Sequence, residues 1–222
     1  MATFAVSEQQ SAAKTSQKSS TSSRIQLSLT LENLPIVLQM PRRLNDEAFE
    51  RFSRAHEPLR MEMLPNGDIS VMTPVGANSS RLNARLTRLL DAWSEVNGGG
   101  AVFDSSVGFR TADKAVLSPD ASWMSRSKWE SVPEKMRHRY ARACPEFVIE
   151  LRSESDRLPP LQRKMEKWIA NGAQLAWLID PLQKQATIYR AGRPPEVLQA
   201  PIELKGEKPV AGFVLPMQDF WV

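Results

Sequence analysis

"CPEFVIELRSESDRLPPLQRKMEKW" (residues 144–168) begins as a buried strand and ends as a charged helix. Phe147, Val148 and Ile149 give the near-continuous apolar run of a strand covered on both faces, and the run stops on Glu150, with Arg152 two places later. A carboxylate at the inner end of an apolar strand is costly unless a basic side chain, a set of backbone amides or a metal ion compensates it. Pro159 and Pro160 predict the start of a helix that runs to about Asn171, with Gly172 at its C-terminal cap. Ser153, Ser155 and Asp156 are expected to form the turn that leads into this helix and to cap it, the alternative for Asp156 being a brace for Lys164. "LAWLID" (175–180) and "ATIYR" (186–190) read as two further strands.

Working outward, "LNDEAFERFSRAH" (44–56) reads as a short helix capped by Asn45 or Asp46. "LRMEMLPNGDISVM" (59–72) reads as a hairpin turning at Asn66-Gly67. Between Ser79 and Val96, Leu82, Leu86, Leu89, Leu90 and Trp93 mark one face of an amphipathic helix ended by Gly98-Gly99-Gly100. "AVFDSSVGFR" (101–110) and "AVLSPDASWM" (115–124) are expected to be one strand each, and "PVAGFVLPMQDFWV" (209–222) to pack extended against the body. The order helix, strand, strand, strand, helix, strand predicts an α/β fold with a mixed sheet covered by helices.

The 222 residues suffice for one good-sized domain, and 41% hydrophobic with 24% charged residues describes a soluble globular chain. The expected organisation is a disordered or extended segment over 1–40, rich in Ser, Gln and Lys between 7 and 23, and a folded domain over 41–222. A net charge of +4 is compatible with a nucleic-acid partner. Cys144 is the only cysteine, so neither a disulfide framework nor a thiolate zinc cluster is available, and a reducing cytoplasm is the expected setting. Apolar runs fall short of a membrane span, and the N-terminus lacks the apolar core of a signal peptide. Two histidines, His56 and His138, without HExxH or a serine-nucleophile pattern, argue against a zincin or serine hydrolase. The only Gly-rich run follows a helix instead of preceding one, so nucleotide hydrolysis is unsupported.

Asp120 follows Pro119 at the start of a strand and Glu150 closes the next, so both acids can emerge on one side of the sheet if those strands are neighbours. Glu62, inside "LRMEM", is a third acid. Converging carboxylates suit Mg²⁺ or Mn²⁺; the alternative is that each acid pairs with an arginine.

"SPDASWMSRSKWE" (118–130), "CPEFVIELRSESDRL" (144–158) and "LQRKMEKWIANGAQLAWLIDP" (161–181), with "RMEMLPNGDISVMTPVG" (60–76), "VFDSSVGF" (102–109) and "GFVLPMQDFW" (212–221), resemble the Uma-two family of restriction-type endonucleases. That family lies in the PD-(D/E)XK nuclease superfamily. The resemblance covers roughly residues 44–222 and implies a restriction-endonuclease-like αβββαβ core. It implies that Asp120 is the motif's Asp, Glu150 its Asp/Glu and Glu62 an auxiliary acid. At the motif's lysine position this chain has Arg152, which stays protonated and can stabilise a phosphate but cannot act as a base. In the family a lysine on the following helix takes over, which points to Lys164. Helix spacing agrees: Leu161, Met165, Trp168 and Ile169 form the apolar stripe, Lys164 borders it and Lys167 lies farther round. The alternative for Lys164 is a side chain snorkelling to solvent.

The expected function is metal-dependent hydrolysis of DNA phosphodiester bonds, leaving a 5′-phosphate and a 3′-hydroxyl as the resemblance implies. Mg²⁺ or Mn²⁺ would be held by Asp120, Glu150 and the backbone carbonyl of Leu151. Arg81, Arg85 and Arg88, at i, i+4 and i+7, form either a DNA-contacting stripe or a solvated helix face, and Arg152 is a further candidate contact. The resemblance also implies a homodimer, with the C-terminal segment ending in Phe220 and Trp221 as the candidate interface. The competing reading is a catalytically inert nucleic-acid-binding module that keeps the nuclease fold, prompted by Arg152 at the lysine position.

Overall fold

The structure, a computed structural model, describes residues 3–5, 36–72, 75–97 and 99–221. The Ser-rich stretch 7–23, expected to be disordered, lies outside the described residues. No described helix is long and apolar enough to cross a membrane. The chain divides into two compact units, Met1–Pro74 and Val75–Val222.

In the N-terminal unit, β1 (Thr3–Ala5) pairs in parallel with β2 (Ile36–Gln39). Helix α1 (Asp46–Arg54) follows, its first turn closed by Asn45, whose Oδ1 accepts the Ala48 N–H at 2.8 Å. It buries Phe49 and Phe52. The expected hairpin is present: β3 (Arg60–Met63) and β4 (Ile69–Met72) pair antiparallel, with Glu62 opposite Ser70, and β4 also pairs with β2. Gly67 sits at φ +95 in its turn, a conformation that favours glycine.

The C-terminal unit starts with α2 (Ala77–Asn97), two residues longer at its N-terminus than the leucine spacing indicated, burying Leu82, Leu86 and Leu90. Two stretches read as single strands are each broken in two. The first divides into β5 (Ala101–Asp104) and β6 (Phe109–Arg110), the second into β7 (Val116–Leu117) and β8 (Ala121–Met124). The physical cause is turn chemistry: Asp104 Oδ1 accepts from the Ser106 N–H at 2.9 Å and its hydroxyl at 2.6 Å, and Pro119 interrupts the second. β6 pairs with β7, and β5 with β8, both antiparallel. Two short helices, α3 (Arg126–Ser131) and α4 (Glu134–Arg137), precede β9 (Phe147–Leu151). Helix α5 (Leu158–Ala170) then connects β9 to β10 (Leu175–Asp180), which pair in parallel, as a strand–helix–strand crossover requires.

β11 (Gln185–Arg190) and β12 (Arg193–Gln199) add two antiparallel strands, giving the order β12-β11-β10-β9-β8-β5. β12 was not foreseen because it contains Pro194-Pro195. Prolines are tolerated on an edge strand, and the register shifts at that point. β9 and β10 are buried throughout, as central strands with both faces covered. One face packs α2 and the C-terminal segment, with β13 (Glu203–Lys205) and β14 (Val214–Pro216) as a small hairpin, around Phe147, Ile149 and Trp177. The other face packs α5 around Val148, Met165 and Trp168. This is the expected mixed α/β sheet flanked by helices. Phe220 is fully buried in the first of these clusters and Trp221 packs against it, its indole N–H donating to Pro201 O at 3.1 Å. Both residues are therefore used in the core of their own unit, which removes the basis for placing a dimer interface on them.

Cys144 is buried beside Trp168 O, and burial pushes its thiol up to about 12. It is therefore a protonated thiol at pH 8. A thiol reagent at that pH is expected to leave the folded protein unmodified over hours and to modify one equivalent after denaturation. Rapid labelling of the folded protein would contradict the packing described for β9 and α5.

Candidate active site

Strand parity places Glu150 on the same face of the sheet as Val148, the face that α5 covers. It is 3% exposed. The Trp168 indole N–H donates to Glu150 Oε1 at 2.8 Å. Lys164 Nζ lies 2.9 Å from Oε1 and 3.0 Å from Oε2. Lys164 and Trp168 are four apart on α5 and so share one helix face. Lys164 Nζ also donates to the Ser118 carbonyl at 2.8 Å, two residues before Asp120. A cationic side chain and an indole thus compensate the buried carboxylate at the end of β9, one of the three possibilities its position raised.

The loop between β9 and α5 determines how the helix returns over Glu150. Ser153 donates to Asp156 Oδ2 through its N–H at 2.8 Å and its hydroxyl at 2.6 Å. The expected turn is there, but these residues do not cap α5. The N-cap is Arg157, with no side-chain hydrogen bond. Pro159 and Pro160 lack the N–H groups a cap would satisfy, so little is lost. Asp156, bound to Ser153, forms the turn.

Asp120 stands immediately before β8. Its N–H donates to Ile149 O at 3.1 Å, and its Oδ2 accepts the Leu151 N–H at 2.8 Å. That N–H belongs to the peptide joining Glu150 to Leu151, so the two acids flank one peptide bond of β9. Asp120 Oδ1 accepts from Asn83 Nδ2 at 3.1 Å, on α2. Asn83 is 8% exposed, and its own Oδ1 is buried without a hydrogen-bond partner. A buried unsatisfied acceptor costs about 1–3 kcal/mol. The sequence signal for Asn83 was available: it is a polar residue on the face of α2 that also carries Leu82, Leu86 and Leu90.

The other candidate residues belong to the other unit or are committed elsewhere. Glu62 belongs to the N-terminal unit, where it is buried on β3. Arg152 points to β10: its guanidinium donates to Asp180 Oδ2 at 2.7 Å and to Asp156 O at 3.2 Å. Asp180 is 2% exposed and also accepts the Leu182 and Gln183 N–H groups. Arg85 pairs with Asp219 and Arg81 donates to Asn78, while Arg88 is exposed. Lys167 is near Asp113. The carboxyl of Asp113, pushed up by burial, is nevertheless held below its ordinary value by hydrogen bonds from Thr111, Ala115 and Asn171 and by Lys167 itself. A cavity of about 360 Å³, lined by Ala77, Ser79, Leu151, Ser153 and Leu182 among others, adjoins the end of β9.

Among the described residues no group of three or more His, Cys, Asp and Glu side chains could hold a metal ion. Two carboxylates are nonetheless compatible with Mg²⁺, which keeps several waters and is typically bound through one or two carboxylates plus substrate phosphates. The donors at hand, Asp120, Glu150, the Leu151 carbonyl and the unpartnered Asn83 oxygen, are all hard oxygens and fit such an ion.

The family model for Uma2, described as "Putative restriction endonuclease", matches residues 46–218. No curated protein matches the chain. Among solved structures, a "putative nuclease belonging to DUF820" from Anabaena variabilis superposes with a TM-score of 0.63 at 18% identity, covering 80% of this chain and 97% of that one. At that identity the likeness shows the fold. A DrdV–DNA complex solved by cryo-electron microscopy covers 56% of this chain and 10% of that chain at 17% identity, and its TM-score of 0.35 is too low to carry an argument.

Proposed function

The chain belongs to the Uma2 family, and from that premise we propose that it is a divalent-metal-dependent endonuclease hydrolysing phosphodiester bonds in DNA. The observation that carries the reading is the contact of Lys164 with Glu150 and with the Ser118 carbonyl. It sets a lysine from α5 beside the acids, where the motif's own lysine position holds Arg152. Mg²⁺ or Mn²⁺, bound by Asp120, Glu150 and the Leu151 carbonyl, would supply Lewis acidity at the phosphoryl group and a more acidic water. Asp120 is oriented for that role by the Leu151 N–H and by Asn83. Lys164, fixed by two acceptors, orients the attacking water or stabilises the charge that develops on the phosphoryl oxygens. In-line attack leaves a 5′-phosphate and a 3′-hydroxyl.

Arg81 and Arg88 supply phosphate contacts on α2. Arg85 joins them by exchanging its half-exposed pair with Asp219, a contact of small net worth. Arg152 is not assigned to DNA, because its guanidinium is held by Asp180. The enzyme acts as a homodimer, since two sites related by a two-fold axis address both strands of a duplex.

One observation favours a second reading. Glu150 is already compensated by Lys164 and Trp168 without any metal ion, as it would be in an inert nucleic-acid-binding module. Thermal melting with and without Mn²⁺, beside a plasmid-nicking assay, separates the two. For the nuclease, Mn²⁺ at 100-fold its Kd stabilises by about 2.7 kcal/mol. Nicking then requires the ion and stops in EDTA, and Asp120→Asn removes both the stabilisation and the nicking. DNA binding with no nicking and no response to Mn²⁺ identifies the inert module.

A further inference from the structure

We propose that Asn83 is part of the cation site, its amide N–H holding Asp120 in position and its Oδ1 serving as an additional oxygen donor to the ion and its hydration shell. This rests on the metal-dependent reading of Asp120 and Glu150 and extends it to a residue on α2.

Three observations carry it. Asn83 is more than nine-tenths buried, on a helix face otherwise used for leucines. A side chain that only filled space there would be apolar. Its Nδ2 donates to Asp120 Oδ1 at 3.1 Å, which fixes the orientation of the amide: the opposite orientation would set two oxygen acceptors against each other. With the amide so oriented, Oδ1 is the atom left buried without a partner, beside a carboxylate proposed to bind metal. Buried acceptors in folded proteins are nearly always satisfied, and a cation or one of its waters would satisfy this one. The backbone carbonyl of Asn83 accepts the Thr87 hydroxyl at 3.1 Å, so that part of the residue has its own local explanation. The orphan oxygen does not.

The sign of the effect distinguishes this role from a structural one. Asn83→Leu removes an unsatisfied oxygen from the core and with it the donor to Asp120 Oδ1, so without metal the two effects offset and the variant should melt close to the temperature of the parent. It also removes an oxygen donor and the brace on Asp120, so Mn²⁺ affinity should fall ~10–100-fold, the range typical of outer-shell partners of metal ligands. Asn83→Asp should act on metal binding in the opposite direction. A second carboxylate against Asp120 lowers the melting temperature without metal, and the Mn²⁺-induced rise exceeds that of the parent.

The test is Mn²⁺ titration by calorimetry together with melting in EDTA and in Mn²⁺, for the parent and both variants. Opposite shifts of the two variants support the proposal. If the parent binds Mn²⁺ and Asn83→Leu binds it within twofold, the role of Asn83 is overturned while the metal reading stands. Equal loss of stability with and without Mn²⁺ marks a purely structural residue and overturns it too. If the parent binds no Mn²⁺, the metal reading itself falls. Should Asn83→Leu not fold, Asn83→Asp decides alone: failure to increase the Mn²⁺-induced rise counts against the proposal.

Discussion

Lys164→Ala is expected to lower the rate of DNA nicking ~10²–10³-fold, the usual cost of losing one preorganised group at a reacting centre. The variant also affects the fold, because Glu150 is buried and Lys164 is its cation. Removing one partner of a buried pair costs about 3–5 kcal/mol when the remaining charge has no other compensation. Here the cost should be smaller, since Trp168 still donates to Glu150 and the lysine is partly open to water. The melting temperature in EDTA should therefore fall. Mn²⁺ should restore more stability to Lys164→Ala than to the parent, because the ion then compensates Glu150 alone. Lys167→Ala, at a residue beside Asp113, should cut DNA within a few-fold of the parent. If Lys164→Ala cuts within tenfold of the parent at a temperature where it is folded, α5 does not supply the reacting lysine.

That Lys164 and Glu150 meet was legible from two periodicities. Alternation along β9 sends Glu150 to the same face as Val148, and the 3.6-residue period of α5 puts Lys164 beside Met165 and Trp168. The helix covering that face carries the lysine that reaches Glu150. The central strands were legible for a related reason: β9 and β10 are buried on both faces, so their apolar runs are nearly unbroken. Weakly patterned pieces were not. β6 and β7 are two residues long, too short for any period to register. β12 is almost wholly exposed and carries two prolines, so neither composition nor alternation marks it.

In the site, Asp120 and Glu150 were readable as acids at strand ends. What they touch was not, because the partners come from afar: Asn83 is 37 residues from Asp120 and Lys164 46 residues from Ser118. A polar residue among the leucines of α2 was the one sign pointing to Asn83, and it gives no partner. The orphan oxygen becomes visible only once α2 lies over β5 and β8.

Arg152 stands at the position that the PD-(D/E)XK motif expected from the sequence gives to a lysine, so Arg152→Lys would restore the expected spacing, and on spacing alone it should increase activity. The geometry predicts otherwise. Arg152 follows the last residue of β9, and its guanidinium bridges Asp180 Oδ2 in β10 and the Asp156 carbonyl in the turn before α5. A lysine there keeps a cation near Asp180 but cannot reproduce the guanidinium fork, so Arg152→Lys should be modestly less stable, with no gain in nicking. Arg152→Ala leaves Asp180, 2% exposed, without its cation, and should destabilise by about 3–5 kcal/mol. Asp180 retains the Leu182 and Gln183 N–H donors, which places the loss toward the lower end. Combining Arg152→Met with Asp180→Asn removes both charges and should recover much of the loss, as expected when an ion pair is replaced as a unit. Denaturant melts of the three variants measure this directly. An increase in nicking by Arg152→Lys, together with an unaffected Lys164→Ala, would return the catalytic lysine to position 152 and make the α5 contact a packing feature. Stability unchanged in Arg152→Ala would mean that Asp180 finds its compensation elsewhere and that Arg152 is available to a phosphate.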